Sequence, residues 1–380
     1  MLHQRIDLPL LVSSLLLLCV GSVMVYSASS AVAAEMFSGD SGFFLKRYLV
    51  RLILGIVILI LFASLNYQKL QKWSPILIVI GMGFLALVFV PGIGMTIRGA
   101  TRTVNLFSMT IQPAEGVKIA LVIFLAYWLA RRQHVMERFF TGFLPVLAVI
   151  ATTCLMIGLQ PDYGTSIVLA ATAFAVLYVG RARLLHLAGA VGIMIPALVY
   201  KLYSSAHSRG RLMTYFERFF GNSADQAHNL QGADYQLQQA LIGLGTGGLF
   251  GNGLGQSRQK FLFLPDPHTD FVFAVIGEEL GFLGSVTVLG LFVVFAWRGV
   301  RIARMAPDAF GFFLASGLTL LITLHVLVNI GVVTGLLPTT GLPLPFLSYG
   351  GSWLLFCMMS IGILLNISRM TYRRQRLQYD

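Results

Sequence analysis

LPLLVSSLLLLCVGSVMVYSASSA, residues 8–31, is a run of 24 residues without a single charged side chain. A helix rises about 1.5 Å per residue and the hydrocarbon core of a bilayer is about 30 Å thick, so this run can span a membrane. The rest of the chain has the same character: 57% of its 380 residues are hydrophobic and 11% are charged. Soluble domains carry about a quarter charged residues. The sequence therefore predicts an all-α polytopic membrane protein.

The start of this run has an alternative interpretation. Arg5 precedes the apolar core and Ala31-Val-Ala-Ala34 follows it, as in a secretory signal with its cleavage site. The core is longer than that of a typical signal, and further apolar runs follow directly. We therefore expect an uncleaved first membrane helix.

Turn and charge signals divide the apolar runs into about ten membrane-spanning helices within one integral membrane domain, residues 1–380. The predicted spans are residues 8–31, 47–65, 75–90, 113–130, 142–158, 164–180, 184–203, 271–297, 310–335 and 347–367. A long loop, residues 204–270, separates the seventh span from the eighth, and we expect it on the extracytoplasmic side.

The net charge of +12 predicts orientation and not nucleic-acid binding, because the basic residues lie in short clusters between apolar runs. One set of helix ends carries most of them, namely Arg5, Lys69, Lys72, Arg131, Arg132, Arg138, Arg181, Arg183, Arg298, Arg301, Arg304, Arg369, Arg373, Arg374 and Arg376. By the positive-inside rule, both termini are cytoplasmic. The three cysteines lie singly in apolar runs and indicate neither a disulfide framework nor a metal site.

The first polar segment on the outward side leads into the fourth span and carries Arg98, Arg102, Glu115 and Lys118. Pro113 suits a first helical position, and Glu115 favours the positive end of a helix. Glu115 and Lys118 are three residues apart and share a helix face. The segment is either a helix cap with a local ion pair, or a basic pocket for an anionic headgroup formed by the two arginines and Lys118.

Two further outward segments are short. In the turn that contains Gln160 and Asp162, the aspartate either accepts backbone N–H groups or braces the pocket. The segment from Pro338 to Ser352 contains three prolines and repeated glycines, which exclude a regular helix. Such backbone is tolerated at a membrane only where protein or water satisfies it, so we expect a segment that lines a cavity.

The long loop contains basic residues and a glycine-rich stretch, Gly243-Leu-Gly-Thr-Gly-Gly248, that matches GxGxxG. That fingerprint requires a βαβ unit, so it predicts tight turns and close backbone packing here and not dinucleotide binding. In the ninth span, His325 and Asn329 lie four residues apart on one face. They are either functional intramembrane groups, or the histidine is neutral and bonded to a neighbouring helix.

Residues 265–281, PDPHTDFVFAVIGEELG, concentrate charge at the start of the eighth span. Asp270 lies where the loop ends, either as a helix N-cap or as a carboxylate fixed for chemistry. Glu278 and Glu279 lie about two turns further along. Two adjacent carboxylates facing lipid would be costly, so we expect them to face protein, a basic partner or a water-filled groove.

Several long motifs, in order along nearly the whole chain, resemble the SEDS family (shape, elongation, division and sporulation proteins). They are QPDYGT at 160–165, YQLQQ at 235–239, GLFGNGLG at 248–255, LPDPHTDF at 264–271, IGEELG at 276–281 and GLPLPFLSYGGS at 341–352. IGEELG and VMVYSAS at 23–29 resemble the FtsW-type division members more than the RodA-type elongation members.

The resemblance implies a ten-helix peptidoglycan glycosyltransferase in the bacterial cytoplasmic membrane. Its implied substrate is lipid II, the undecaprenyl-pyrophosphate-linked disaccharide pentapeptide, polymerised at the outer face. Its implied partners are a class B penicillin-binding protein, which crosslinks the new strand, other division or elongation proteins, and membrane lipids.

The family's motifs transfer to this chain with two departures. Its essential aspartate maps onto Asp270, and its Gln-Pro-Ser-Glu motif maps onto residues 112–115, with Ala114 in place of serine and Lys118 following. Thr103 stands where relatives carry tryptophan, which puts a stacking role there in doubt. Residues 221–232 also depart from the usual pattern.

The chemistry of joining sugars predicts roles for these residues. Asp270 would act as the general base that deprotonates the acceptor hydroxyl. Pyrophosphate is a good leaving group, so cations are expected beside it and a second acid is less necessary. The candidate cations are Arg98, Arg102, Lys118, Arg211, Arg218, Arg258 and Lys260. Further candidates are Glu115, Gln160, Asp162, His268, Ser348 and Tyr349 for substrate binding, and Glu278 and Glu279 for a structural or coupling role.

Two other functions stay open at this point. A lipid II flippase would use ten helices, His325 and buried glutamates equally well, and a non-catalytic scaffold for the penicillin-binding protein is the third alternative. The outward bias of the polar segments favours the enzyme. No His, Asp or Glu cluster has metal-ligand spacing, so no cofactor is identified, and assistance by a divalent cation stays open.

Overall fold

Most of the chain forms long apolar helices. The computed structural model describes residues 6–97, 100–106, 109–204, 209–210, 213, 215–216, 233–260 and 267–379. The helices are α1 (Leu8–Met36), α2 (Phe43–Ser64), α3 (Gln68–Leu87), α4 (Pro113–Arg132), α5 (Leu144–Leu159), α6 (Tyr163–Val179), α7 (Leu184–Ser204), α8 (Ala233–Thr246), α9 (Val272–Arg304), α10 (Ala309–Val333) and α11 (Trp353–Tyr379).

The predicted polytopic membrane architecture is confirmed. Within the described ranges, nine helical segments are long and apolar enough to cross a membrane; one of them, Phe139–Leu159, is α5 preceded by the π-helical turn Phe139–Phe143. α6 is a shorter apolar helix. The ten predicted spans correspond to α1–α7 and α9–α11. Several helices continue past their predicted ends, because polar and charged residues extend them beyond the apolar run. The basic last turn of α9, with Arg301 and Arg304, suits the negative end of a helix dipole.

A small antiparallel sheet precedes α4, and the sequence did not predict it. Its strands are β1 (Gly94–Ile97), β2 (Ala100–Leu106) and β3 (Met109–Ile111), in the order β1-β2-β3. Val104 pairs with Gly94 on one side and with Ile111 on the other. Threonine and β-branched residues, which favour strands, are frequent here. The segment is too short and polar for a span, which is why hydropathy alone assigned it to a loop.

The helices differ greatly in burial. In α4, 78% of the span is buried, compared with 17% in α2 and α3 and 6% in α7. α4 packs against α3 and α10, and α11 packs against α2. The outward apolar side chains of α2, α3 and α7 suit contact with lipid, because a bilayer core is as apolar as they are. The spans of α11 and α10 are 72% and 61% buried, so α4, α11 and α10 form the centre of the bundle.

Contacts between loops define two ends of the bundle. We call one the loop-rich end; it comprises residues 37–42, 88–97, 100–106, 109–112, 160–162, 247–260, 267–271 and 334–352. At the opposite, terminal end, the Arg298 guanidinium donates to the Asp7 carboxylate at 2.5–3.2 Å. The Arg374 guanidinium donates to the Pro307 carbonyl there as well. Both ends of the described chain therefore lie at the same end of the bundle.

The described part of the long loop packs on a break in α9. Gly281 has φ +70° and ψ −167°, a conformation that interrupts the helix and favours glycine. The Phe282 amide then donates to the Gly248 carbonyl at 2.9 Å. At Gly247, an added Cβ would lie 1.9 Å from the Gly277 carbonyl oxygen. This close backbone approach accounts for Gly247, and a φ of +55° accounts for Gly248.

Residues 334–352 form the non-helical segment that the three prolines predicted, and we call it the re-entrant segment. Phe346 is buried, and its ring lies near those of Phe292 and Phe295, at centroid distances of 6.3 and 5.7 Å. Its carbonyl accepts a hydrogen bond from the Tyr48 hydroxyl at 2.9 Å. Its φ of +66° is rare for a bulky side chain. The segment therefore inserts into the bundle between α2 and α9.

Candidate functional site

Asp270 lies between α10 and the re-entrant segment. Asn329 Nδ2 donates to the carbonyl oxygen of Asp270 at 2.8 Å and to that of Leu342 at 2.7 Å. The Asp270 carboxylate lies beside Gly341, where an added Cβ would be 3.4 Å from Oδ2. Asp270 is partly exposed, whereas Asn329 is buried. One buried amide thus fixes the backbone that presents a carboxylate at the loop-rich end.

The interpretation of Asp270 as a helix N-cap is wrong. α9 begins at Val272, and Phe271 occupies its N-cap position. Asp270 lies one residue before that position, within the turn of residues 267–271. The sequence could not distinguish the two, because Asp is common both at caps and in the turns before them.

His268 and Tyr349 meet in an aromatic cluster next to Asp270. The Tyr349 amide donates to the His268 carbonyl at 2.8 Å. The Phe44 ring lies 4.5 Å from the His268 ring and 5.2 Å from the Tyr349 ring. Arg51 Cζ lies 4.8 Å from the centroid of Tyr349. The sequence predicted His268 and Tyr349 as site residues but missed Phe44 and Arg51. The signal for Arg51 is an arginine inside an otherwise apolar span.

Ser348 has a local role in the re-entrant segment. Its Oγ accepts from the Leu344 amide at 2.8 Å, and its own amide donates to the Leu344 carbonyl at 3.1 Å. The side chain is buried. These bonds close the turn around Phe346, so Ser348 shapes the segment that carries Tyr349.

Three of the predicted polar segments meet at Gln112. Its Nε2 donates to Asp162 Oδ2 at 3.0 Å, and its amide donates to Ser352 Oγ at 3.1 Å. Asp162 Oδ1 accepts from the Thr165 amide at 3.3 Å. The Asp162 carboxylate therefore caps α6 and also joins it to the segment before α4, while the pocket that it would brace stays a prediction.

Arg102 joins the sheet to the turn before α6 by hydrogen bonds. Its Nε donates to the Gln160 carbonyl at 3.2 Å, and its Nη2 donates to the Pro161 carbonyl at 2.7 Å. Gln160 is buried, and its Nε2 donates to the Leu85 carbonyl at 3.1 Å. The guanidinium is engaged with backbone oxygens, so its described contacts are those of a loop anchor.

Glu115, Lys118 and His325 form a buried polar cluster among α4, α10 and α11. Lys118 Nζ lies 2.6 Å from Glu115 Oε2 and 2.9 Å from His325 Nε2. It also lies 3.7 Å from the ring centroid of Trp353. His325 Nδ1 donates to the Leu321 carbonyl at 2.8 Å, which assigns the neutral tautomer with Nε2 as acceptor. The local ion pair predicted between Glu115 and Lys118 is present, and the histidine is bonded to a neighbouring helix.

Glu278 and Glu279 belong to a second buried network, which we call the brace: Ser27, Ser257, Lys260, Glu278 and Glu279. Glu279 accepts from Ser27 Oγ at 2.6 Å, and its Oε1 lies 3.2 Å from Lys260 Nζ. Glu278 accepts from Ser257 Oγ at 2.5 Å and from the Arg258 amide at 2.9 Å. All five side chains of the brace are buried. Both glutamates thus face protein, and Glu279 has a basic partner.

Lys260, predicted as a leaving-group cation, lies inside the brace. Its ammonium also donates to the Gly255 carbonyl at 2.6 Å. It lines a cavity of about 440 Å³ together with Tyr26, Ser30 and Leu254. Its contacts are therefore those of a charge that joins α1, α9 and the long loop.

The remaining predicted cations divide by position. Arg98, Arg211 and Arg218 lie outside the described residues. Arg258 is exposed at the loop-rich end. Among the described residues, no group of three or more His, Cys, Asp or Glu side chains is placed to hold a metal ion.

Sequence comparison relates this arrangement to known proteins. The family described as "Cell cycle protein" (FTSW_RODA_SPOVE) matches residues 8–373. The chain is 42% identical over 363 residues to stage V sporulation protein E of Bacillus subtilis strain 168, covering 96% of this chain and 97% of that protein. It is 40% identical over 362 residues to the probable peptidoglycan glycosyltransferase FtsW of Trichlorobacter lovleyi, covering 95% and 93% of the two chains.

Two solved structures share the fold. A chain of the structure described as "Structural coordination of polymerization and crosslinking by a peptidoglycan synthase complex" has a TM-score of 0.76 at 26% identity, covering 97% of this chain and 99% of that chain. The rod shape determining protein RodA of Thermus thermophilus has a TM-score of 0.70 at 28% identity, covering 97% and 98%. With the family match over residues 8–373, these similarities show that the chain belongs to the FtsW/RodA/SpoVE family of cell cycle proteins, the SEDS family that its motifs resemble.

Proposed function

We propose that this protein is a peptidoglycan glycosyltransferase that polymerises lipid II at the outer face of the cytoplasmic membrane during division. The observation that carries the proposal is the carboxylate of Asp270, presented at the loop-rich end by Asn329 and Gly341, in a chain that matches its family over residues 8–373. The similarity to FtsW and stage V sporulation protein E extends over at least 95% of the chain.

The loop-rich end is the outward-facing end in this proposal, and both termini are cytoplasmic. The support is the distribution of basic residues. Arg131, Arg132, Arg183 and Arg301 lie at the ends of helices opposite the loop-rich end. Short cytoplasmic loops carry the excess of lysine and arginine in membrane proteins.

The reaction joins an acceptor hydroxyl to the anomeric carbon of a lipid-linked sugar. A new carbon–oxygen bond forms, the bond to pyrophosphate breaks, and the polyprenyl pyrophosphate leaves. Asp270 takes the hydroxyl proton as the general base, which typically contributes about 10²–10⁴-fold to the rate. The hydrogen bonds of Asn329 fix the backbone on both sides of that carboxylate and so preserve its position.

Cations must stabilise the leaving pyrophosphate. Lys118 and Lys260 are each paired with a glutamate, so neither carries an uncompensated charge for that role. The other candidate cations stay predictions for it, namely Arg98, Arg102, Arg211, Arg218 and Arg258. The buried cluster of Glu115, Lys118 and His325 supports the centre of the bundle below Asp270.

The proposed partner is a class B penicillin-binding protein that crosslinks the new strand. The support is the TM-score of 0.76 to a chain from a peptidoglycan synthase complex, whose description couples polymerisation to crosslinking. A polymerase without a crosslinking partner would release linear strands that add no strength to a wall.

The test uses the detergent-purified protein with its partner, lipid II as substrate, and gel separation of glycan products. The wild type should form a glycan ladder, and Asp270→Asn should reduce the rate by about 10²-fold or more because the base is lost. Asp40→Asn is the matched control, since Asp40 is a carboxylate at the same end that pairs with exposed Lys46. It should leave the ladder unchanged.

The same experiment separates the alternatives. A ladder formed in detergent cannot arise from flipping, because no bilayer is present. A wild-type complex without a ladder, with an active partner, would favour a flippase or a scaffold. A normal ladder from well-folded Asp270→Asn would remove Asp270 from the role of base.

A further inference from the structure

Two arginines lie on one face of α2 at the loop-rich end, and we call them the α2 arginine pair. Arg47 and Arg51 are four residues apart, so they lie one above the other on the helix. Arg47 Cζ lies 4.3 Å from the ring centroid of Phe43, and Arg51 Cζ lies 4.8 Å from that of Tyr349. From residue 52 to residue 63 the helix is entirely apolar. Arg51 is therefore the deepest charge on α2.

Neither arginine has a carboxylate partner within the described ranges of the chain. The ion pairs there are formed by Lys46, Lys118, Arg183, Lys260 and Arg298. Arg51 Nη1 is buried and, among the described residues, has no hydrogen-bond partner. A charge at membrane depth without a partner is costly, and such charges are retained where they bind an ion or substrate.

The re-entrant segment connects Arg51 to the candidate base. Tyr349, which lies beneath the Arg51 guanidinium, donates its amide to the His268 carbonyl at 2.8 Å. At Gly341 the same segment lies beside the Asp270 carboxylate. A substrate bound along this segment would therefore contact the Asp270 carboxylate near Gly341 and the Arg51 guanidinium near Tyr349.

We propose that Arg51, assisted by Arg47, binds the pyrophosphate of the lipid-linked substrate and of the polyprenyl pyrophosphate that leaves. This inference rests on the proposed function. A guanidinium donates two parallel hydrogen bonds to phosphate oxygens, which a lysine cannot do. Leu54, the next residue on that face of α2, is 40% exposed, so the apolar chain of the lipid has a surface below the charge.

The first measurement is the affinity of the full-length protein in nanodiscs for undecaprenyl pyrophosphate and for the neutral alcohol undecaprenol. The wild type should prefer the pyrophosphate. Arg51→Gln should weaken pyrophosphate binding by about tenfold to a hundredfold, as expected for hydrogen bonds to a charged group, and leave undecaprenol binding unchanged. Equal preference in the wild type and Arg51→Gln would overturn the proposal.

Lys46→Gln is the matched control, because it removes one positive charge from the same end of α2. Lys46 already pairs with Asp40 at 2.9 Å, so its loss should leave the preference for pyrophosphate intact. An equal loss in Lys46→Gln and Arg51→Gln would mean that general surface charge, and not this site, binds the anion.

Inorganic pyrophosphate distinguishes a headgroup site from a free-anion site. It should compete weakly with the lipid in the wild type and not at all in Arg51→Gln. Binding of inorganic pyrophosphate without any binding of the lipid would overturn the lipid assignment.

If Arg51→Gln does not fold, Arg51→Lys and Tyr349→Leu replace it. Each variant should bind undecaprenyl pyrophosphate several-fold more weakly, and unchanged affinity for it in both variants would overturn the proposal.

Failure of this site and failure of the proposed function give different results. A wild type that binds undecaprenyl pyrophosphate through Arg51 but forms no glycan ladder contradicts the proposed function and still supports the Arg51 site. Glycan ladders from Arg51→Gln with an unchanged KM for lipid II contradict the site and leave the function.

Discussion

The brace and the α2 arginine pair are both charged groups in apolar surroundings, and their partners differ. In the brace, Glu279 meets Lys260 and Ser27, and Glu278 meets Ser257. Among the described residues, Arg51 makes a cation–π contact with the ring of Tyr349, and one of its nitrogens is buried without a hydrogen bond. Charges that satisfy one another join elements of the fold. A charge left unsatisfied costs stability unless a ligand satisfies it.

The largest effect should come from removing one half of the brace. Glu279→Ala leaves the Lys260 ammonium buried beside Ser27, so the free energy of unfolding should fall by about 3–5 kcal/mol. Denaturant titration of the protein in mixed micelles measures it. The double variant Glu279→Leu with Lys260→Met, which removes both charges, should recover most of that loss. A single variant as stable as the wild type would contradict the assignment of the brace to structure.

A smaller effect should follow from Asn329→Leu, which tests whether neutral hydrogen bonds can position the candidate base. Two hydrogen bonds are lost, to the carbonyls of Asp270 and Leu342, at about 1 kcal/mol each. The kcat for glycan formation should fall about tenfold or more, because displaced reacting groups lose rate steeply. Leu327→Ala, an exposed position on the same helix, is the control. Unchanged kcat in Asn329→Leu would show that Asp270 is positioned by other groups.

Arg51→Gln should have little effect on the free energy of unfolding, in contrast to the large loss expected for Glu279→Ala in the brace. No charged partner is left behind, so the free energy of unfolding should change by less than about 0.5 kcal/mol or rise. The denaturant titration used for Glu279→Ala measures it. A loss as large as that of Glu279→Ala would mean that Arg51 serves the fold, and the contrast between the two regions would disappear.

The smallest effect is expected at Asp40, the exposed counterpart of the brace. Hydrogen bonds from Lys46 lower the pKa of Asp40 below its usual value. Any stabilisation is therefore present at neutral pH and is lost as the pH falls through the lowered pKa. Solvent screens this pair, so Asp40→Asn should leave the thermal midpoint unchanged between pH 5 and pH 8. A clear shift would mean that the pair is shielded from solvent.

The sequence predicted the spans and the main motifs because both depend on local composition. The helices α1–α7 and α9–α11 follow from apolar length, and the non-helical re-entrant segment follows from three prolines. The pairing of Glu115 with Lys118 follows from helical spacing. Each is decided within a few residues of chain, which is the range over which sequence reasoning is strongest.

Partners distant in sequence could not be predicted. Lys118 meets His325, Ser27 meets Glu279, and Arg51 meets Tyr349, each across more than 200 residues. Helical spacing gives the face on which a side chain lies but not the helix opposite to it. The sequence could therefore not show that Lys260 has a carboxylate beside it, or that Arg51 lies over the ring of Tyr349.

The contacts of α1 have a consequence for how the protein fits its membrane. Asp7 joins Arg298 near one end of α1, and Ser27 joins Glu279 nearer the other, so α1 is attached to α9 at two levels. Twenty residues separate Asp7 from Ser27, a helical rise of about 30 Å and thus about one hydrocarbon thickness. With both levels fixed, α1 cannot slide along α9 to match a thicker or thinner bilayer. The two helices must tilt together, and membrane thickness therefore acts on the orientation of the whole α1–α9 unit.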